Sequence, residues 1–345
     1  MVSVSARWAG VFKVDVDSEG WQTFQRLDSS AFLPPSTDLL ADRAAMAAGV
    51  RALWQSSGGS LVVEADCTED AAPFDVLVNG ALVARLAGPG HQRHEVVLTD
   101  LPPQSAVELW LPHFGGIRIR EATLTHPDAA AAIENGPRWT AYGSSITHCQ
   151  QADGPTETWP ALVARSYGWN LTNLGLAGEC QLDAAAVATL AATAADLISL
   201  CLGINSYNAA AYSERTWAGA VHGFLTAVRA AHPETPIVVI TPMLSVPREE
   251  VVNAVGWTLS QYRRATAEVV VLLRERGDTR IHCVDGAAVF SPDEAEARMP
   301  DTLHPDNAGY AMMAGRLGPQ LAAVLSGSRS LDANALLAST VPVRD

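Results

Sequence analysis

Arg138-Trp139-Thr140-Ala141-Tyr142-Gly143-Ser144-Ser145-Ile146-Thr147 runs from a short strand-like stretch through one glycine into two serines. A strand that ends this way puts Ser145 at a strand-to-helix turn, on the rim of a sheet. Helix capping would by itself account for a serine there, because Ser is favoured where helices begin. Near the other end of the chain, however, Asp301-Thr302-Leu303-His304 supplies a carboxylate and an imidazole three residues apart. A serine hydroxyl is a weak nucleophile at neutral pH unless a base takes its proton during attack, and the base needs a third group to hold its ring and tautomer. The two segments together carry the parts of a serine hydrolase.

Outward from that stretch, residues 138–142, 170–173, 197–202, 237–241 and 281–284 read as short strands, three of them almost wholly apolar. Helical patterns at 159–167, 182–192, 216–231 and 258–276 separate them, and 308–325 closes the series. Apolar strands spaced by helices indicate a parallel sheet covered on both faces. In such sheets ligands sit beyond the carboxyl ends of the strands. Gly143–Ser145 and Gly203–Asn205 each follow a strand directly and belong at that edge.

Ahead of residue 130 the pattern is different. Runs with β character at 10–16, 50–55, 60–65, 74–78, 81–86, 94–98, 107–111 and 117–124 are punctuated by turn residues, which indicates an antiparallel sandwich or jelly roll. Asn79-Gly80 between two of these runs is the preferred pair for a two-residue hairpin, since both positions tolerate positive φ. The expected division is a β-sandwich accessory domain at 1–126, a connection at 127–137, an α/β domain at 138–325 and a tail at 326–345. The connection is short and Ala-rich, so the two domains should be docked rather than tethered.

Asp and Glu number 37 against 23 Lys and Arg, for a net charge of −14, with no basic cluster to neutralise phosphates. Nucleic acid and anionic membrane are therefore not expected as partners. The first residues lack a basic start followed by an apolar core, and no run reaches the length of a membrane span, so a cytoplasmic location is expected. Five cysteines without paired spacing are no disulfide framework. Most should be free and buried, and although Cys149 and Cys180 lie beside the candidate motifs, where they could line the pocket or pair, the free and buried state is the favoured reading for them too. His148, just after Ser145, is a candidate substrate contact, but the histidines show no metal-ligand spacing and no metal or organic cofactor is expected. Oligomeric state stays open.

Four ordered blocks in the second domain resemble those of the SGNH, or GDSL-type, hydrolase family: Tyr142-Gly143-Ser144-Ser145-Ile146-Thr147, Asn173-Leu174-Gly175-Leu176-Ala177-Gly178, Gly203-Ile204-Asn205 and Asp301-Thr302-Leu303-His304-Pro305. The resemblance implies a flavodoxin-like three-layer α/β/α domain that hydrolyses acyl esters through a serine. Position by position, it implies Ser145 as nucleophile, His304 as base and Asp301 as its orienting carboxylate. The oxyanion donors would be the Ser145 backbone N–H, Gly178 and Asn205. Ser144 stands where the family usually has Asp, as in similar members that carry an added N-terminal β-sandwich.

The two-domain arrangement looks like that of carbohydrate esterases, which implies removal of an acetyl or other short acyl group from a carbohydrate or small natural product. A lipase or thioesterase taking longer chains is the alternative, as is a carbohydrate- or protein-binding protein on a degenerate hydrolase scaffold. A dinucleotide- or phosphate-binding domain is disfavoured, because neither glycine-rich phosphate motif is present. Trp159, Tyr207, Trp217 and Trp257 are candidate stacking faces for a sugar, although core packing is the commoner role of such residues.

Overall fold

Period-two burial folds the first half of the chain into two antiparallel sheets, in a computed structural model described over residues 3–33, 38–128, 136–328, 330–331 and 337. Most of the expected connection at 127–137 and of the tail at 326–345 lies outside the described residues. One sheet has the order β3 (Lys13–Val16), β4 (Gln22–Gln25), β11 (Ile117–Thr125), β6 (Gly59–Cys67), β9 (Gly90–Leu98), with β1 (Ser3–Ser5) also paired to β11. The other runs β2 (Trp8–Ala9), β5 (Arg51–Ser56), β10 (Ser105–Trp110), β7 (Phe74–Val78), β8 (Ala81–Leu86). Leu61, Val63 and Ala65 of β6 turn inward at every second position and meet Trp54, Val76 and Val107 from the facing sheet. Asn79 and Gly80 join β7 to β8 with φ of 51° and 77°, as the hairpin reading requires.

The expected strand at 10–16 is interrupted because Gly10 takes a φ of 75°, and the chain forms β2 and β3 on separate sheets instead. Three further elements had no legible pattern. Ser3–Ser5 is too short, β4 (Gln-Thr-Phe-Gln) has a single apolar residue, and α1 (Asp38–Ala45) sits among turn formers.

In the second half, β12 (Arg138–Gly143), β13 (Asn170–Gly175), β14 (Leu197–Cys201), β15 (Ile237–Ile240) and β16 (Ile281–Val284) form a parallel sheet in the order β13-β12-β14-β15-β16. Both faces are buried. Ile198, Leu200, Ile237 and Val239 point to a layer containing α4 (Ala184–Ala192), α6 (Glu214–Ala231) and α7 (Leu259–Glu275), and Leu197, Val238 and Ile240 point to one containing α3 (Trp159–Tyr167) and α9 (Asn307–Leu325). This is why the strands read as continuous apolar runs. The shorter helices α2 (Ser145–His148), α5 (Ile204–Asn208) and α8 (Pro292–Arg298) lie at the ends of strands or ahead of α9. From β12 the chain moves outward to β13 and then crosses back to β14 on the other side of β12, so the sheet reverses its strand order beside β12. Crevices form at such switch points. The segments after β12, β13 and β14 carry Ser145, Gly178 and Asn205 respectively.

The two halves share interior. Leu27, Leu40 and Ala44 pack in one cluster with Leu174 and Leu190, while Leu77 and Trp110 pack in another with Trp139 and Trp159. Strand β13 is an edge, and its outward carbonyls at Leu171, Asn173 and Gly175 would lack donors there. Two buried arginines of the first half supply them. Arg51 Nη1 donates to Leu171 O at 2.8 Å, and Arg26 Nη1 donates to Asn173 O and Gly175 O, both at 2.8 Å. A third polar joint sets the fully buried Asp75 carboxylate against Arg85 Nε at 2.7 Å and Thr156 Oγ1 at 2.6 Å. Among the described residues no helix is long and apolar enough to cross a membrane.

Candidate active site

Ser145 opens α2, a single helical turn, while the preceding Ser144 serves as its cap and accepts a hydrogen bond from Ile146 N–H at 3.3 Å. The two adjacent serines thus divide the capping role, on Ser144, from the hydroxyl on Ser145 that is left for other partners. The turn is tight because both neighbouring strands end in glycine. A Cβ on Gly143 would fall 2.3 Å from Thr147 Oγ1, and one on Gly175 would fall 2.3 Å from the His148 amide nitrogen.

Ser145 Oγ lies 2.7 Å from His304 Nε2, and His304 Nδ1 lies 2.6 Å from Asp301 Oδ2. A carboxylate can only accept, so Nδ1 carries the proton and Nε2 is left to receive the serine's. The second carboxylate oxygen is fixed by the His304 and Leu303 backbone N–H groups at 2.7 and 3.0 Å. Burial would raise the Asp301 carboxyl, but the hydrogen bonds from His304 and Leu303 outweigh it and hold the group below its ordinary value. The sequence separation of 159 residues between Ser145 and His304 is closed by the loop that precedes α9.

Gly178, on the loop after β13, and Asn205, in α5, lie on segments tied to each other: Asn205 Oδ1 accepts from Cys180 N–H at 3.1 Å, and Ser206 Oγ donates to Gln181 Oε1 at 3.0 Å. With its oxygen engaged, the Asn205 amide presents its NH2 as the remaining polar group. Gly178 has a φ of 82° and open space around its missing Cβ, so the backbone conformation, not crowding, calls for glycine. Gly203 needs glycine for both reasons, with a φ of 112° and Pro242 Cγ 2.7 Å from a Cβ placed there. The peptide ahead of Gly178 is held on both sides, since Ala177 N–H donates to His148 Nδ1 and Arg43 Nε donates to Ala177 O, each at 3.3 Å.

Several expectations need correction. His148 does not face substrate: it is wholly buried, donates from Nε2 to His113 O at 2.8 Å and supports the Ala177 peptide. Sequence gave no sign of this, because both partners are distant backbone groups. Cys149 and Cys180, by contrast, keep to the favoured reading: both are free, buried thiols raised by burial, and they do not pair. Trp159, Tyr207, Trp217 and Trp257 are all buried in the two cores, where Trp159 Nε1 donates to Ile146 O at 3.0 Å and Trp217 Nε1 to Thr266 Oγ1 at 3.1 Å. None of the four offers an open stacking face. A cavity of about 390 Å3 instead opens beside the Asp301–His304 turn, walled by Val246, Pro247, Met299 and Thr302 with Asp293 and Glu296 also lining it.

Burial, with the Arg26 charge nearby, holds His148 well below the ordinary imidazole value, and burial pushes His113 down to about 4 against a weaker pull from Asp75. In the unfolded chain both rings would protonate below about 6.5, so below that pH the unfolded state binds more protons than the folded one. Stability should therefore fall as pH drops from 6.5 toward 4, by up to about 1.4 kcal/mol per pH unit for each ring. Urea titrations at pH 7 and 5 check this. His113→Phe should flatten part of the slope, because it removes one of the two rings whose protonation differs between the folded and unfolded states. An unchanged slope in that variant would assign the effect elsewhere.

Residues 141–312 match the model of the GDSL-like lipase/acylhydrolase family. No curated protein matches. Among solved structures, the salicylyl-acyltransferase SsfX3 from a tetracycline biosynthetic pathway is 27% identical with a TM-score of 0.82, over 94% of this chain and 97% of that one. A putative GDSL-like lipase from Bacteroides ovatus is 19% identical with a TM-score of 0.75, over 94% and 98%. A family two carbohydrate esterase from Cellvibrio japonicus is 16% identical with a TM-score of 0.64, over 95% and 99%.

Proposed function

Because its α/β domain belongs to the GDSL/SGNH-type esterases, we propose that this chain hydrolyses a short acyl ester of a carbohydrate or other small hydroxylated molecule through Ser145. The observation that carries this reading is the continuous relay from Ser145 Oγ through His304 to Asp301, at 2.7 and 2.6 Å, on the switch-point edge of the sheet. Ser145 Oγ attacks the acyl carbon while His304 Nε2 takes its proton. The oxygen that becomes negative accepts hydrogen bonds from the Ser145 and Gly178 N–H groups and the Asn205 amide, and His304 then protonates the departing alcohol. Water, activated by the same imidazole, releases the acyl group from Ser145.

A second reading is favoured by the similarity to an acyltransferase: the acyl-Ser145 intermediate is passed to an alcohol acceptor instead of water. The first half-reaction is common to both. Intact-mass analysis after a serine-directed fluorophosphonate should show one adduct, located at Ser145. An adduct elsewhere, or none in protein that turns over p-nitrophenyl acetate, would remove Ser145 from the role. Products formed from that ester with and without added alcohols then separate hydrolysis from transfer. Asn205→Ala should lower kcat by about a hundredfold with KM little changed, as expected for a donor used mainly in the transition state. A loss confined to KM would make Asn205 a binding residue.

A further inference from the structure

The turn that carries the base has an unusual support. Thr302, between Asp301 and His304, has a φ of 66°, a left-handed conformation that β-branched residues rarely adopt. Such a conformation persists where surrounding contacts over-determine it. Those contacts come from the segment after β15 and from Met299 at the end of α8. Ser245 Oγ donates to Thr302 O at 2.9 Å, Arg248 Nη1 donates to Ser245 Oγ at 2.9 Å and to Thr302 Oγ1 at 3.3 Å, and Thr302 N–H donates to Met299 O at 2.8 Å.

Ser245 is itself anchored. It is 1% exposed, and its N–H donates to Glu249 Oε1 at 3.0 Å. Glu249 in turn is held by Arg263 at 2.6 and 2.9 Å, and Arg263 Nε donates to Pro242 O at 3.0 Å. A chain of hydrogen bonds, several of them charge-assisted, therefore leads from the segment after β15 to the Thr302–Leu303 peptide, whose N–H donates to Asp301 Oδ1 at 3.0 Å. Further along the same segment, Tyr207 Oη donates to Val251 O at 2.9 Å and Asn253 Nδ2 to Tyr207 O at 3.0 Å. Tyr207 is on α5, two residues from Asn205. The segment thus touches the base turn and the oxyanion helix.

We propose that Ser245 is a positioning residue: its hydroxyl fixes the Thr302 peptide, and through it the Asp301 carboxylate beneath the His304 ring. The proposal rests on the serine-esterase reading, which fluorophosphonate labelling of the unaltered chain at Ser145 tests separately. Ser245→Ala should lower kcat about tenfold with KM within twofold, and Ser245→Thr, which keeps the hydroxyl, should recover most of it. In an Asp301→Asn background Ser245→Ala should have little further effect, because the orientation it serves is already lost. Arg248→Met, nearer the surface, should show the same pattern more weakly and serves if Ser245→Ala does not fold. Wild-type kcat in Ser245→Ala, a loss carried by KM, or an equal loss in both backgrounds would overturn the proposal.

Discussion

Ser145→Ala should reduce ester turnover by about a millionfold in kcat, the scale seen when the nucleophile of a serine triad is removed, while leaving the fold intact. The structure gives reasons for both halves of that expectation. Ser145 is the hydroxyl that faces His304 Nε2, and no other described hydroxyl is hydrogen-bonded to that nitrogen. Its loss leaves little buried debt, since the His304 side chain is 23% exposed and Nε2 can turn to water. Alanine also suits the first position of a helix whose cap is Ser144. Ser144→Ala makes the informative contrast: it should cost about 1 kcal/mol of stability through the lost cap and keep fluorophosphonate labelling at Ser145. Turnover of p-nitrophenyl acetate and thermal melts on the two variants separate these roles. Activity within tenfold of wild type in Ser145→Ala, in protein shown free of contaminating esterase, would refute a nucleophilic role.

The parts of this architecture that were legible are those whose physics is local. Leu197–Cys201 reads as a buried strand because both of its faces are covered, and Asn79-Gly80 reads as a hairpin because the turn itself demands positive φ. Asp301 and His304 were legible together since three residues separate a carboxylate from the imidazole it orients. What stayed hidden was joined over distance. Ser245 and Thr302 are 57 residues apart, Arg43 and Ala177 are 134 apart, and a serine or arginine donating to a remote carbonyl leaves no pattern in its own neighbourhood. The four aromatic residues were ambiguous for a related reason. Composition shows that a tryptophan is present, whereas only packing decides whether its face is open.

The largest effect on stability is expected at Arg26. Its guanidinium is fully buried with no carboxylate partner among the described residues, donating to Met46 O at 2.6 Å, to Arg43 O, and to Asn173 O and Gly175 O on the edge of β13. Burial pushes its pKa down to about 9, so it remains charged at neutral pH and its four acceptors are what make that charge tolerable. Arg26→Met keeps much of the volume but withdraws every donor, leaving carbonyls in the dry joint between the halves of the chain. At roughly 1 kcal/mol or more for each, the loss should reach about 4 kcal/mol, a large part of the 5–15 kcal/mol typical of a folded domain. Denaturant unfolding should show it as a lower midpoint or as a second, earlier transition if the two halves separate first. Gly175 is three residues ahead of Gly178, so material that stays folded should also lose kcat as the oxyanion loop loosens. Arg26→Lys keeps the charge but lacks the forked donors that span Asn173 and Gly175 as well as Met46 and Arg43, and it should fall between. A midpoint unchanged in Arg26→Met would mean that the edge carbonyls find water or other donors, and that the joint is held by its shared apolar core around Leu27, Leu40 and Trp110 instead.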